Sequence, residues 1–238
     1  MEFLAMHSRT IILTALFTLT FPLNIAHAQL FGKKQDNIQS VAKDKPAQDT
    51  SLNNLKDAPP APALNCIGPF AKDTSHTRLV TEFGERNVAF KDVEGAEGIK
   101  QKATVIFDDD PTRRVVIYWD DMKARTTPKR IVVTAPSTWL GPNGIRNGLP
   151  VKDLEKINGG AFSIKGFGGI GSGGVSGLKG KLAEVPGGCK LIVHFEPGIA
   201  NPLPPKFAAI TGNLIIPSSN SLMRRVRPQV SDWSVVYP

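Results

Sequence analysis

The sequence predicts an α+β fold, an antiparallel sheet with a few short helices, arranged as two tandem helix-plus-sheet units. Two short stretches carry helix caps and glycine stops, and each is followed by β-branched runs separated by turn residues. Landmarks also recur at near-constant offset. Ile67-Gly68-Pro69 is echoed by Leu140-Gly141-Pro142, and Leu79-x4-Gly84 by Leu154-x4-Gly159, an offset of 159 − 84 = 75. Pro111 is echoed by Pro186, again 75, and Tyr118-Trp119-Asp120 by His194-Phe195-Glu196, at 76. The units run over 67–121 and 140–196, with a C-terminal tail at 197–238.

At the start, Arg9 precedes an apolar run from Ile11 to Ala26 that contains Pro22, and Ala26-His27-Ala28 supplies a small-x-small cleavage pattern. This predicts a signal peptide over 1–28, too short for a spanning helix, which needs roughly 20 apolar residues. No further transmembrane segment is expected after cleavage before Gln29. Residues 29–63 are rich in charges, amides, Ala and Pro, which predicts a disordered linker: such a segment buries too little apolar surface to offset its ordering entropy. The folded domain is then 64–238.

Export changes the reading of the two cysteines, because thiols in an oxidising compartment pair. Cys66 and Cys189 are expected to form one disulfide, worth roughly 4 to 5 kcal/mol in the chain-entropy model. Neither residue has the CxxC or His spacing of a zinc or redox site.

In the first unit, Asp73, Thr74 and Ser75 are N-cap types, Leu79 and Phe83 share a helical face, and Gly84 is a stop, so a helix is expected over 76–83. Strands follow at 87–93, 103–107 and 115–119, the last after the turn-like DDDPT, and KRIVVTAP adds another at 129–136. In the second unit Pro150 opens a helix, Leu154 and Ile157 face inward, and Asn158-Gly159-Gly160 ends it. Strands are expected at 161–164, near 178–182 and at 190–195, then a short helix near 219–226 and a strand at 230–237.

The helix ends at Leu79–Gly84 and Leu154–Gly159 and the aromatic strands near Trp119 and Phe195 carry a resemblance. Helix followed by antiparallel strands, repeated at this period, resembles the tandem units of secreted β-lactamase inhibitor proteins and of small outer-membrane assembly lipoproteins. The resemblance covers about 67–197, and implies helices packed on antiparallel sheet and a binding role. The sequence departs from that family in having one helix per unit rather than a helical hairpin, and no lipobox cysteine. The whole chain also resembles uncharacterised exported proteins of Gram-negative bacteria.

The run Gly166-Phe167-Gly168-Gly169-Ile170-Gly171 matches GxGxxG, but nothing helical begins after it and the glycine character continues through Gly177. A dinucleotide site needs that helix, so the run reads as a hairpin loop and no cofactor is expected. There is no GxSxG, HExxH or SxxK, and only His76 and His194 remain after signal removal. No catalytic or metal-binding residue is assigned: Asp108-Asp109-Asp110 and Asp120-Asp121 read as solvated turns.

Charge is the remaining signal. The chain carries a formal +8; residues 64–121 hold 8 Lys+Arg against 11 Asp+Glu, and residues 122–238 hold 15 against 5. The basic second half, with Arg224, Arg225 and Arg227 as candidate contacts, is expected to attract an anionic envelope component (lipid, lipopolysaccharide or acidic glycan) or an acidic protein. Nucleic acid is not expected, because aromatics are only 7% of residues and do not interleave with the cations. The functional expectation is a periplasmic or secreted binding module without catalytic activity. The competing readings are an envelope-polymer hydrolase and a structural stabiliser of an envelope assembly.

Overall fold

The computed structural model describes residues 62–95 and 98–238; the expected signal peptide and the linker up to residue 61 lie outside them. Pro62 and Ala63, expected at the end of the linker, instead run beside the chain at Leu140, where Leu140 N–H donates to the Pro62 carbonyl and Leu64 N–H to the Leu140 carbonyl.

The fold is mixed α+β, with antiparallel six-stranded and three-stranded sheets and a few short helices. Helix α1 spans His76–Phe83. Ser75 caps it by accepting a hydrogen bond from Arg78 N–H at 3.1 Å, and Gly84 ends it at φ +85°, a conformation that glycine adopts without steric cost. Strands β1 (Val88–Glu94), β2 (Lys100–Ile106), β3 (Val115–Asp121) and β4 (Thr126–Thr134) follow as an antiparallel meander. Helix α2 spans Val151–Asn158 and stops at left-handed Gly159.

After α2 the chain divides its strands. β5 (Ser163–Lys165) and β6 (Val175–Ser176) begin a small sheet that β8 (Ile215–Pro217) completes in the order β6-β5-β8. β7 (Lys190–Glu196) and β9 (Gln229–Val236) join the large sheet, whose order is β1-β2-β3-β4-β9-β7. Helix α3 spans Ser221–Arg225, capped by the Asn220 side chain. The two echoed stretches thus share a helix with its glycine stop and differ in their strands: one meander after α1, two sheets after α2. Helix ends and Gly/Pro turns, which make up most of the echo, do not specify strand partners.

The expected strand near 178–182 is absent. Gly177 and Gly180 both adopt positive φ, Lys179 N–H donates to the Asn158 side chain at 2.8 Å, and Gly180–Leu182 turns as a 3-10 helix that buries Leu182. Other elements were not expected: β6, β8 and several 3-10 turns, among them the one over Pro205–Ile210 that buries Phe207 and Ile210.

One face of the large sheet carries the main core. Ile106, Ile117, Ile131, Val133, Val193, Trp233 and Val235 are fully buried there with Leu79 of α1, Leu154 of α2 and Met223 of α3. Phe70, Phe83, Phe107 and Trp139 add an aromatic cluster beside α1 with centroid separations of 5.5 to 6.2 Å, a range that favours edge-to-face packing.

Candidate functional site

Cys66 and Cys189 form the expected disulfide across 123 positions of sequence, with both residues buried. It joins the segment before α1 to the entry of β7.

The glycine run is the connection between β5 and β6, and no helix follows it. Gly166 and Gly173 serve close backbone approach. Gly173 N–H donates to the Lys165 carbonyl and its own carbonyl accepts from Phe195 N–H, both at 2.9 Å, so the loop straps the outer edge of β7. A Cβ on Gly173 would run into the Phe195 carbonyl, and one on Gly166 would lie 2.7 Å from the Gly212 carbonyl.

The three candidate arginines separate. Arg224 is a structural ion pair: its Nη2 lies 2.5 Å from Glu155 Oε2, and its Nε donates to the Ser218 carbonyl at 3.1 Å. Ser218 Oγ donates to Glu155 Oε1 at 2.6 Å, which closes the network between α2 and α3. Arg225 and Arg227 are exposed. The Arg225 guanidinium lies 5.9 Å from the centre of the Phe207 ring, and Lys206 Nζ lies 5.5 Å from the same ring.

These two arginines belong to a larger feature. No Asp or Glu occurs between Glu155 and Glu184, or between Glu196 and Asp232, whereas those intervals hold Lys156, Lys165, Lys179, Lys181, Lys206, Arg224, Arg225 and Arg227. Lys156 pairs with Asp153 and Arg224 with Glu155; among the described residues the other six have no carboxylate partner. The same intervals build the small sheet and α3, and they expose large aliphatic side chains. Ile170 at the loop tip is 81% exposed, Ile215 65%, Leu214 48% and Ile199 39%. Ile170 sits by Lys165, whose Nζ donates to its carbonyl at 2.8 Å. Leu214 and Ile215 flank the same lysine through the Gly166–Leu214 hydrogen bond and the Lys165–Ile215 pairing. Ile199 adjoins Arg227, because Gly198 N–H donates to the Val226 carbonyl. These carboxylate-free intervals, the carboxylate-free pole, expose aliphatic side chains beside cations, and the exposed Glu184 and Glu196 bound them.

The two histidines are apart, one against β1 and β2 and the other on β7 at the opposite edge of the strand order. His76 Nδ1 lies 2.9 Å from Thr104 Oγ1; burial, and then the Arg125 charge, hold its pKa below the usual imidazole value. His194 Nδ1 lies 2.9 Å from Asp232 Oδ1, and Ser231 Oγ donates to Asp232 Oδ2 at 3.1 Å. Burial pushes the Asp232 carboxyl up, but the hydrogen bond and charge of His194, with Ser231 and Arg130, outweigh it and leave the pKa below the ordinary range. This His–Asp pair has the orientation of a general-base pair. The one hydroxyl bonded to it is on the carboxylate side, and the far edge of the ring faces Gly174. It therefore pins β7 to β9, and among the described residues no hydroxyl is bonded to the far side of the ring. The acidic turns are likewise satisfied locally. Asp108 pairs with Lys91 and Arg114, and Asp110 is held at about 2 by hydrogen bonds from Thr112 and then Arg113. Asp121 Oδ1 accepts from the Lys123 and Ala124 amides. Among the described residues no cluster of His, Cys, Asp and Glu could hold a metal ion.

A second surface lies on the outer face of the large sheet. The register places Ile192, Ser234, Val132, Val116, Val105 and Ala89 in one row across all six strands. Val93, Ala103, Val105 and Val116 are buried in a satellite cluster made only of strand residues, with Tyr118 and Val132 against it. Val93, Val116, Tyr118 and Val132, with the β1–β2 hairpin end and the margin of β9, bound a trough of about 930 Å³ rimmed by Lys102, Arg114, Lys129 and Arg130.

No family model matches the chain, and neither the search of curated proteins nor that of solved structures returns a match.

Proposed function

We propose that this chain is an exported, non-enzymatic interaction module of the cell envelope that docks on an anionic lipid surface through its carboxylate-free pole. The observation that carries this reading is the coincidence of six cations without a carboxylate partner among the described residues and the exposed Ile170, Ile199, Leu214 and Ile215 in the same intervals. Cations near an anionic leaflet contribute about 1 kcal/mol each, and aliphatic side chains gain by entering the apolar layer beneath the headgroups. An acidic protein would satisfy the charge and leave the isolated aliphatic tips without a matching environment. The disulfide is compatible with an oxidising extracytoplasmic location. No helix among the described residues is long and apolar enough to cross a membrane. A binding role also accords with the resemblance to tandem helix-plus-sheet binding proteins.

The test is flotation of the purified protein with phosphatidylglycerol-containing vesicles against pure phosphatidylcholine vesicles, across a salt series from about 50 to about 500 mM, over which the Debye length shrinks several-fold. Association with the anionic vesicles alone, lost at high salt, is expected. Arg225→Glu with Arg227→Glu should weaken it at least about tenfold. Equal flotation with neutral vesicles, or flotation insensitive to salt, overturns the proposal.

A further inference from the structure

We propose that the trough on the outer face of the six-stranded sheet binds a single-chain anionic amphiphile, with its hydrocarbon over Val116 and Val132 and its acidic head at Lys129 and Arg130.

The floor comes first. Val93 and Val116 are 6% and 7% exposed, Val105 beneath them is fully buried, and every described residue of their cluster lies on a strand. The trough, at about 930 Å³, is within the range of about 300 to 1,000 Å³ typical of small-molecule sites. Tyr118, Val132 and Val236 are half-buried along it, and Met122 is 40% exposed at its margin.

The backbone beneath this floor decides between ligand classes. Its amides and carbonyls are already engaged in the β1-β2-β3-β4-β9 ladder. An extended peptide laid across it would set its own amides over valine side chains without partners, and each unpaired group opposes binding. A hydrocarbon chain makes no such demand. The floor therefore selects a ligand that is apolar in its middle.

The rim places the head. Lys102 is paired with Asp92 and Arg114 with Asp108. Among the described residues, Lys129 and Arg130 have no carboxylate within ion-pair distance. Arg130 is oriented along the face by Nε donation to Ser234 Oγ at 3.0 Å, which leaves its two terminal nitrogens for an acid. A planar guanidinium suits a carboxylate or phosphate bidentately. Of the carboxylates near it in the register, Asp232 faces His194 and Ser231, Glu94 lies at the hairpin end of the trough, and the exposed Asp120, two residues along β3 from Arg130's partner Tyr118, makes no ion pair with Lys129 or Arg130. None of the residues of the carboxylate-free pole takes part, so this site stands or falls separately from vesicle docking.

Isothermal titration of the purified protein with sodium dodecanoate below its micelle concentration tests the proposal, with butyrate as a head without a chain and dodecanol as a chain without a charge. Saturable one-to-one binding of dodecanoate is expected, with butyrate and dodecanol each at least about tenfold weaker, since either loses one of two kinds of contact. The double variant Lys129→Gln, Arg130→Gln should lose about tenfold for dodecanoate and little for dodecanol. Val132→Thr, which keeps the shape and the strand preference of the residue, should weaken both while an unchanged thermal melt shows the fold intact. Dodecyl phosphate in parallel distinguishes a phosphate head from a carboxylate, and tighter binding of either than of dodecanol supports the site. Butyrate binding as tightly as dodecanoate, dodecanoate binding unchanged in both variants, or no saturable binding of any chain-bearing anion overturns it.

Discussion

Replacing Cys66 and Cys189 together by alanine is expected to lower the free energy of unfolding by about 5 kcal/mol. The magnitude comes from the 123 positions separating the two residues: closing so long a loop removes much of the freedom of the unfolded chain, and the effect grows logarithmically with loop length. Other ties on the leading segment are noncovalent. Leu64 pairs with the backbone at Leu140, the Tyr237 hydroxyl donates to the Phe70 carbonyl, and Phe70 packs against Phe83 and Trp139. They position the segment without shortening the unfolded chain. Urea denaturation of the oxidised protein and the double variant, compared at equal slope, measures the difference. A loss below about 1 kcal/mol would mean that the unfolded chain keeps residual structure and gains little from the crosslink.

Gly173→Ala is expected to cost about 3 kcal/mol, an unusually large effect for a single methyl group. Part is conformational, since Gly173 sits at φ +71°, where an L-residue loses about 1 to 2 kcal/mol. The rest is displacement. The new Cβ would occupy the space of the Phe195 carbonyl, and moving β7 backbone breaks the pair of hydrogen bonds that strap the loop to the sheet; strain of this kind costs about 1 to 3 kcal/mol. Gly168→Ala is the control, because Gly168 also has positive φ, +81°, but has open space around it. Its cost should be about 1 kcal/mol. Thermal melts of the two variants distinguish close approach from conformational freedom as the reason for the glycines; equal losses would contradict the close-approach account.

The parts of the fold set by local chemistry were legible. Ser75 and Gly84 bracket α1, and Gly159 ends α2, because caps and stops act on the residues beside them. The β-branched runs gave β1, β3, β4, β7 and β9 to within three residues at either end. β8 was hidden in a stretch whose punctuation reads as turn, NPLPPKF through IIPSS, and its pairing with β5 lies some fifty residues away in sequence. The stretch Leu178-Lys179-Gly180-Lys181-Leu182 alternates like a strand, but its glycine takes a conformation that breaks the alternation. The tertiary placement of β5 and β6 outside the main sheet had no local signal at all.

The site was legible to a different degree. Arg225 and Arg227 could be singled out from charge alone, but Arg224 could not be removed from the set, since its partner Glu155 is 69 residues away. The absence of carboxylates from two long intervals was open to view in the sequence as a gap. It acquired meaning only when the pairing of β5 with β6 and β8 drew parts of both intervals together. The trough required the register itself, because Val105, Val116 and Val132 face the same way only once three strands are aligned.

Hydrogen–deuterium exchange of the protein with and without phosphatidylglycerol vesicles at low salt most directly tests the docking surface. Added protection is expected in the glycine loop around Ile170, around Ile199, at Leu214–Ile215 and through Arg225–Arg227, with β1 to β4 unchanged. Protection confined to β1–β4, or spread evenly over the chain, would contradict docking through the carboxylate-free pole.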